Sequence, residues 1–249
     1  MKLAWCRVSL APLRQENNDQ SEMVSQLLFG ELVEVIESEF NWTKIRTYFD
    51  NYPAWMDTKQ LIYLSEKEAN RWLDGISLAT DLFNELDTPW GKQFVPRGSF
   101  LPIDKEAEFR IGNHQFKIQN QQKNNLLTMQ DFALSYLNTP YLWGGKGPLG
   151  IDCSGFTQQV FRFIGIQLPR DAYQQEELGQ EIDFEDQQLG DLAFFSNEKG
   201  KIIHVGIVLA DYQIIHASGW VRIDEFKEQG IWNHEHNKLS HNLHSIKRI

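Results

Sequence analysis

GIDCSGFTQQVFRF, residues 150–163, sets one of the chain's two cysteines directly behind an aspartate and at the head of an apolar periodicity. Cys153, Phe156, Val160, Phe161 and Ile164 recur at i, i+3, i+7, i+8 and i+11, the spacing of one helix face. Asp152 is a strong N-cap, Gly165 a stop, and Pro169 lies beyond it. The stretch predicts a helix with Cys153 in its first turn. Unpaired N–H groups and the helix dipole favour an anion there, so a thiol in that place is expected to ionise well below its usual pKa of about 8.5. A thiolate is a nucleophile. The competing reading of a lone cysteine is a small buried hydrophobe on the helix's apolar face.

Working outward, LLTMQDFALSYLN (126–138) carries Met129, Phe132, Ala133, Tyr136 and Leu137 on one helical face behind Thr128, an N-cap candidate. A Gly/Pro-rich loop, TPYLWGGKGPLGIDCSG, joins it to the cysteine helix. Downstream, GDLAFFS, IIHVGIVLA and YQIIHASG read as strands of an antiparallel sheet. Helices followed by strands predict an α+β domain over 125–249.

A thiol nucleophile needs a partner that takes its proton and returns it to the leaving amine. His204 and His216, twelve residues apart in two apolar strands, are the candidates. A hairpin centred on Ala210 would set them opposite each other on one face. A two-residue turn at Asp211-Tyr212 would put them on opposite faces, so a three- or five-residue loop or a bulge is required. One imidazole would then serve the thiol and the other orient the first, as the third member of a Ser-His-Asp triad does. Two satisfied core histidines are the plainer alternative.

Before residue 125 the pattern differs. Residues 1–64 and 75–122 read as two runs of short strands with Gly/Pro turns, which predicts two small β-barrels. SEKEANRWL (65–73) is a helical linker and NQQKNN (120–125) a polar one. No fixed-period repeat or low-complexity segment is present. There are 24 basic and 34 acidic residues, a net charge of −10, which disfavours nucleic acid and anionic membrane partners. No apolar run is long enough to span a membrane, and the start lacks a signal-peptide core. Two distant cysteines suit a reducing compartment, so a cytoplasmic location is expected.

DCSGF after PYLWGG, followed by HVGIV and HASG, resembles the NlpC/P60 family of papain-like cysteine peptidases over about residues 125–249. Each motif alone is weak, and the four in order are specific. The resemblance implies Cys153 as nucleophile, His204 as base, His216 as the orienting residue and Tyr141 near the oxyanion site. VSLAPLR, SQLLFGE and DNYPAWMD resemble a bacterial SH3-type (SH3b) domain, with a more diverged second one over 75–122. SH3b domains accompany a subgroup of the family that acts on free murein peptides as γ-D-glutamyl-L-diamino acid endopeptidases, and this implies an unblocked N-terminal L-Ala.

A free ammonium group calls for carboxylates and acceptors. Asp152 and Glu22 could supply charge, Tyr52 a hydroxyl or ring face, and Ser154 and Trp143 further contacts. Arg170 and Asp171 in LPRDAYQQ match a family motif lining the substrate groove, where Arg170 could hold the α-carboxylate of γ-linked D-Glu. Each has a plain alternative as cap, surface residue or core. NHEHNKLSHNLH gathers His234, His236, His241 and His244, but without HExxH or cysteine it reads as a polar C-terminal loop and no metal is expected. No cofactor fingerprint is present. The expected partner is a small peptide substrate and the expected state a monomer. A wall-binding protein with an inert peptidase-like domain, an intact-wall hydrolase, and an amidase or acyl transferase on the same scaffold are the competing functions.

Overall fold

The computed structural model describes residues 2–102, 108–119 and 128–249. The NQQKNN linker lies outside the described residues, apart from the sequence itself. Two compact units emerge. One comprises Met1–Leu126 with Lys146–Pro148, and the other Leu127–Gly145 with Leu149–Ile249.

In the first unit, β1 (Leu3–Cys6), β2 (Leu10–Arg14), β3 (Met23–Leu28), β4 (Leu32–Glu39), β5 (Trp42–Thr47), β6 (Pro53–Asp57) and β7 (Leu61–Leu64) form one antiparallel sheet in the order β3-β2-β6-β5-β4-β1-β7. The predicted alternation is present: β2 buries Ala11 and Leu13, and β6 buries Ala54 and Met56. α1 (Glu66–Asp74) starts in a capping box of Ser65 and Glu68. β8 (Ile76–Leu78) pairs with β11 (Phe100–Pro102), while β9 (Phe83–Thr88), β10 (Gly91–Pro96), β12 (Glu108–Ile111) and β13 (His114–Ile118) form a four-stranded sheet. The two predicted barrel segments share a core. Trp5 of β1 meets Phe29, Trp72 of α1 and Phe116 of β13 edge to face, at centroid separations of 4.7, 5.6 and 5.4 Å. Cys6 ends β1, fully buried, and burial pushes its thiol up to about 12. Lys146 of β14 (Lys146–Gly147) belongs to this unit and forms a buried ion pair with Glu31.

In the second unit, α2 (Met129–Leu134) begins at Thr128, which shares a capping box with Asp131. β15 (Gly150–Ile151) leads into α3 (Cys153–Phe163), capped by Asp152 and ended by Gly165 at φ 82°. A short α4 (Ala172–Glu176) follows. The sheet runs β16 (Gln180–Glu181), β22 (Lys238–Arg248), β17 (Leu192–Ser196), β18 (Ile202–Leu209), β19 (Gln213–Ser218), β20 (Trp220–Lys227), β21 (Gly230–Asn233). β21 also pairs with β22, so six antiparallel strands close on themselves. α2 packs on α3, and α3 packs on β18 and β19. The expected C-terminal histidine loop is only partly a loop. His234 and His236 sit in a turn, whereas His241 and His244 lie on β22, the longest strand of the sheet. Its polar residues escape a hydrophobic-pattern reading because most of the strand is partly exposed.

Candidate active site

The DCSG sequence acts as a clamp. Asp152 Oδ1 accepts the Gly155 N–H at 2.7 Å, and its Oδ2 accepts the Gly144 N–H at 2.8 Å. One carboxylate therefore caps α3 and ties the preceding loop to it. Gly155 permits this approach: a Cβ there would collide with the Gly145 carbonyl and stand 2.9 Å from Asp152 Oδ1. Arg170 completes the clamp with a bidentate pair, Nη1 to Oδ1 at 3.0 Å and Nη2 to Oδ2 at 2.6 Å, and Nη1 also donates to Ser154 Oγ at 2.9 Å.

Asp152 and Arg170 are 5% and 1% exposed, and their polar atoms face each other. The fork and the carboxylate face one another in the interior. Both act on the site by holding Cys153 and the 140–145 loop. Ser154 is buried with its hydroxyl on Arg170. Asp171 is the N-cap of α4. Trp143 is exposed. Glu22 immediately precedes β3 and Tyr52 immediately precedes β6, both in the first unit.

Cys153 begins α3 as expected, but its thiol is pushed up to about 12. Burial is the main cause and the Asp152 charge adds to it, against hydrogen bonds from the Val205 and Ser154 backbone and the charge of Arg170. The expected drop does not occur because Asp152 already occupies the helix N-terminus and water is excluded. The backbone contact at Val205 places the sulfur beside β18, one residue past His204. Tyr141 stands near enough to Cys153 and Asp152 for their charges, after burial, to raise its phenol. Its hydroxyl stays protonated and able to donate.

His204 and His216 do share a face of the sheet. Leu209 pairs with Gln213, leaving a three-residue loop whose Asp211 and Tyr212 have φ of 57° and 53°. The residue opposite His216 is Gly206, not His204. The histidines are thus diagonal neighbours, not the directly opposed pair expected. Gly206 opens the space between them, since a Cβ would lie 3.0 Å from that of His216. His204 Nε2 meets His216 Nδ1 at 2.8 Å.

The proton positions follow from a residue that sequence reasoning missed. Asp224 on β20 sits 3.0 Å from His216 Nε2 and also accepts from Arg222 Nη2 at 2.8 Å. Burial raises its pKa, but hydrogen bonds from His216 and Arg222 outweigh that and hold it below the usual range. An ionised carboxylate only accepts, so His216 Nε2 carries hydrogen and Nδ1 is an acceptor. His204 Nε2 must then donate, which leaves its Nδ1 with a lone pair. Burial, followed by the neighbouring His216 and His241, keeps His204 well below the usual histidine range, and burial lowers His216 despite Asp224. Both rings are neutral at pH 7. Asp224→Asn is expected to scramble this order, because an amide can donate to Nε2 and reverse both tautomers. A loss of roughly 10² in kcat is expected, below the 10⁴ of a directly bonded triad aspartate because a second imidazole intervenes. Steady-state kinetics with an unchanged KM would show it.

His241 was also missed as a site residue. It stacks on His204 with centroids 4.2 Å apart and planes 23° apart. Among the described residues His204, His216 and His241 form a group whose ligand nitrogens lie within 4.8 Å of one another.

Residues 138–239 match the model of the NlpC/P60 family. Residues 13–61 match the bacterial dipeptidyl-peptidase Sh3 domain, so the chain carries an NlpC/P60 domain behind a bacterial SH3 domain. A Bacillus subtilis (strain 168) protein named gamma-D-glutamyl-L-lysine dipeptidyl-peptidase is 28% identical over 78% of this chain and 71% of its own length. Dipeptidyl-peptidase 6 of Lysinibacillus sphaericus is 27% identical over 84% and 85%. The crystal structure of an NlpC/P60 family protein from Bacillus cereus ATCC 10987 superposes with a TM-score of 0.79 at 22% identity, covering 99% of both chains. That likeness concerns the fold. No helix among the described residues is long and apolar enough to cross a membrane.

Proposed function

We propose that this NlpC/P60 chain is a cysteine endopeptidase. It hydrolyses the bond between γ-D-Glu and the diamino acid in free murein peptides that keep an unblocked N-terminal L-Ala. The observation that carries the reading is the hydrogen-bonded order Asp224–His216–His204, which leaves one imidazole nitrogen unprotonated in the domain that begins α3 with a thiol. An inert domain would have no need of that order. The names of the two relatives support the substrate class.

In the proposed chemistry His204 Nδ1 takes the Cys153 proton as sulfur attacks the γ-carbonyl of D-Glu. With a raised thiol and a lowered imidazole the resting pair is neutral, so the proton moves during attack. His216 stabilises the imidazolium through its Nδ1, and Asp224 stabilises His216. Tyr141 donates to the developing oxyanion. His204 then protonates the amine of the diamino acid as the C–N bond breaks. Water, deprotonated by His204, attacks the thioester and releases the γ-D-Glu carboxylate and the thiol. The second, β-rich segment of the first unit is read as a diverged SH3b barrel, and the protein as a monomer that recycles wall peptides in the cytoplasm.

The test is hydrolysis of L-Ala-γ-D-Glu-diaminopimelate and its L-Lys counterpart, free and N-acetylated, followed by mass spectrometry. Release of L-Ala-γ-D-Glu and the diamino acid is expected, with N-acetylation lowering kcat/KM at least about tenfold, the cost of one lost polar contact. Equal rates on free and blocked peptides would overturn the amine requirement. No cleavage of any of the four would overturn the proposed activity.

A further inference from the structure

Three rings pack around His204. His216 meets it edge to face at 82°, with the hydrogen bond at Nε2. His241 covers its face, with centroids 4.2 Å apart and planes 23° apart. These two stacked rings come from strands that β17 separates. Phe195 of β17 lies opposite His204 in the ladder and against both rings, its centroid 5.8 Å from His204 and 5.9 Å from His241. The His241 ring is itself anchored. Its Nδ1 lies 2.9 Å from Ser240 Oγ, and that hydroxyl donates to the Ile231 carbonyl at 3.3 Å, so Nδ1 carries the hydrogen. What His241 presents to His204 is a flat face. Burial and the nearby His216 hold its pKa down to about 4, so at pH 7 no second positive charge opposes an imidazolium on His204.

The second torsion of a histidine side chain is soft, with broad and roughly two-fold preferences. The bond from Nε2 to His216 restrains it weakly. Nδ1 stands farther from the Cβ–Cγ axis than Nε2 does, so a turn about that axis swings Nδ1 by more. The atom proposed to take the Cys153 proton is the one the His216 bond controls least. A flat neighbour stacked on the ring opposes the same turn directly.

We propose that His241 is a positioning residue for the peptidase reaction: its stacked ring fixes the plane of His204, and with it the direction in which Nδ1 faces the Cys153 thiol. This inference rests on the base role proposed for His204. The hydrogen bonds through Ser240 to Ile231 carry the constraint back to β21, which pairs with β22 at Ile231 and His241. The role asks for a flat ring, and neither a titrating nitrogen nor mere bulk replaces it.

Three variants separate those possibilities. His241→Phe keeps a flat ring without nitrogens, His241→Leu keeps apolar bulk without a plane, and His241→Ala removes both. On the free peptide, His241→Leu and His241→Ala should lower kcat at least about tenfold with KM unchanged, because a misplacement of about 1 Å at a reacting group can cost roughly 10². His241→Phe should recover most of that loss. Nitrogen NMR of histidine-labelled protein gives a readout that needs no turnover. In wild type and His241→Phe, the His204 Nε2 hydrogen should stay protected from exchange with water and Nδ1 should give the sharp signal of an unprotonated nitrogen. In His241→Leu and His241→Ala that hydrogen should exchange faster and the Nδ1 signal should broaden. Equal kcat and equal spectra in all four proteins would overturn the proposal. So would a loss in His241→Phe as deep as in His241→Ala, which would make a His241 nitrogen the needed feature, or His241→Leu matching His241→Phe, which would leave bulk as the whole role. Absence of hydrolysis in every protein would refute the proposed activity, and the nitrogen spectra would still decide whether His241 fixes the ring.

Discussion

Cys153→Ser is expected to abolish hydrolysis of the free peptide, lowering kcat by roughly 10⁴–10⁶, the range seen when an acting nucleophile is removed. A hydroxyl in this place has a far higher pKa than the thiol, and the thiol is itself raised to about 12 by burial. His204, held neutral and weakly basic, cannot activate it. The substitution is nearly isosteric, and Cys153 is 7% exposed with backbone hydrogen bonds at Val205 and Ser154 that a hydroxyl can also use. The melting temperature should therefore stay within a few degrees. Retention of wild-type turnover would overturn the cysteine mechanism. Iodoacetamide supplies an independent reading of the same residue: labelling should rise steeply with pH instead of reaching a plateau near neutrality, because no thiolate stands ready in the resting enzyme.

Arg170→Leu carries the largest expected effect on stability. The guanidinium neutralises a carboxylate in the interior through two hydrogen bonds of 3.0 and 2.6 Å. Removing one partner of a buried pair costs about 3–5 kcal/mol, because the remaining charge is left without compensation. At about 2–4 °C per kcal/mol for a domain of this size, the melting temperature of the NlpC/P60 unit should fall by roughly 6–20 °C. Arg170→Lys should rescue only part of this, since an ammonium cannot span both carboxylate oxygens. The double variant Arg170→Leu with Asp152→Asn should recover stability relative to Arg170→Leu, because the stranded charge is gone. A direct substrate role for Arg170 would give the opposite pattern: little change in melting and a raised KM.

The local rules of the chain were readable. The caps at Thr128 and Asp152, the stop at Gly165 and the helix over Cys153–Phe163 each depend on residues within a turn of one another. The strands carrying His204 and His216 are near-continuous apolar runs. Even the need for an odd loop between them followed from the two-residue period of a strand, and the three-residue loop meets it. The motif order identified the NlpC/P60 domain, and VSLAPLR, SQLLFGE and DNYPAWMD within residues 1–64 identified the SH3 domain that the family model matches over 13–61.

Other features depend on distances that sequence spacing does not encode. Asp224 reaches His216 only because Ser218 pairs with Trp220 across Gly219, at φ 72°, which sets Asp224 diagonal to the histidine. His241 on β22 reaches His204 on β18 across two ladders, β17–β22 and β17–β18, each with a register shift. The protonation of Cys153 was misread for the same reason. A helix N-terminus attracts an anion, but the Asp152 cap already supplies one there, and only tertiary packing decided that the thiol is buried. Sequence by itself determined which chemical groups this protein owns and which short elements present them. Only the closed sheet and the buried Asp152–Arg170 pair decided which groups touch, because a proton's position depends on hydrogen-bond partners brought together from distant strands and on the water their packing excludes.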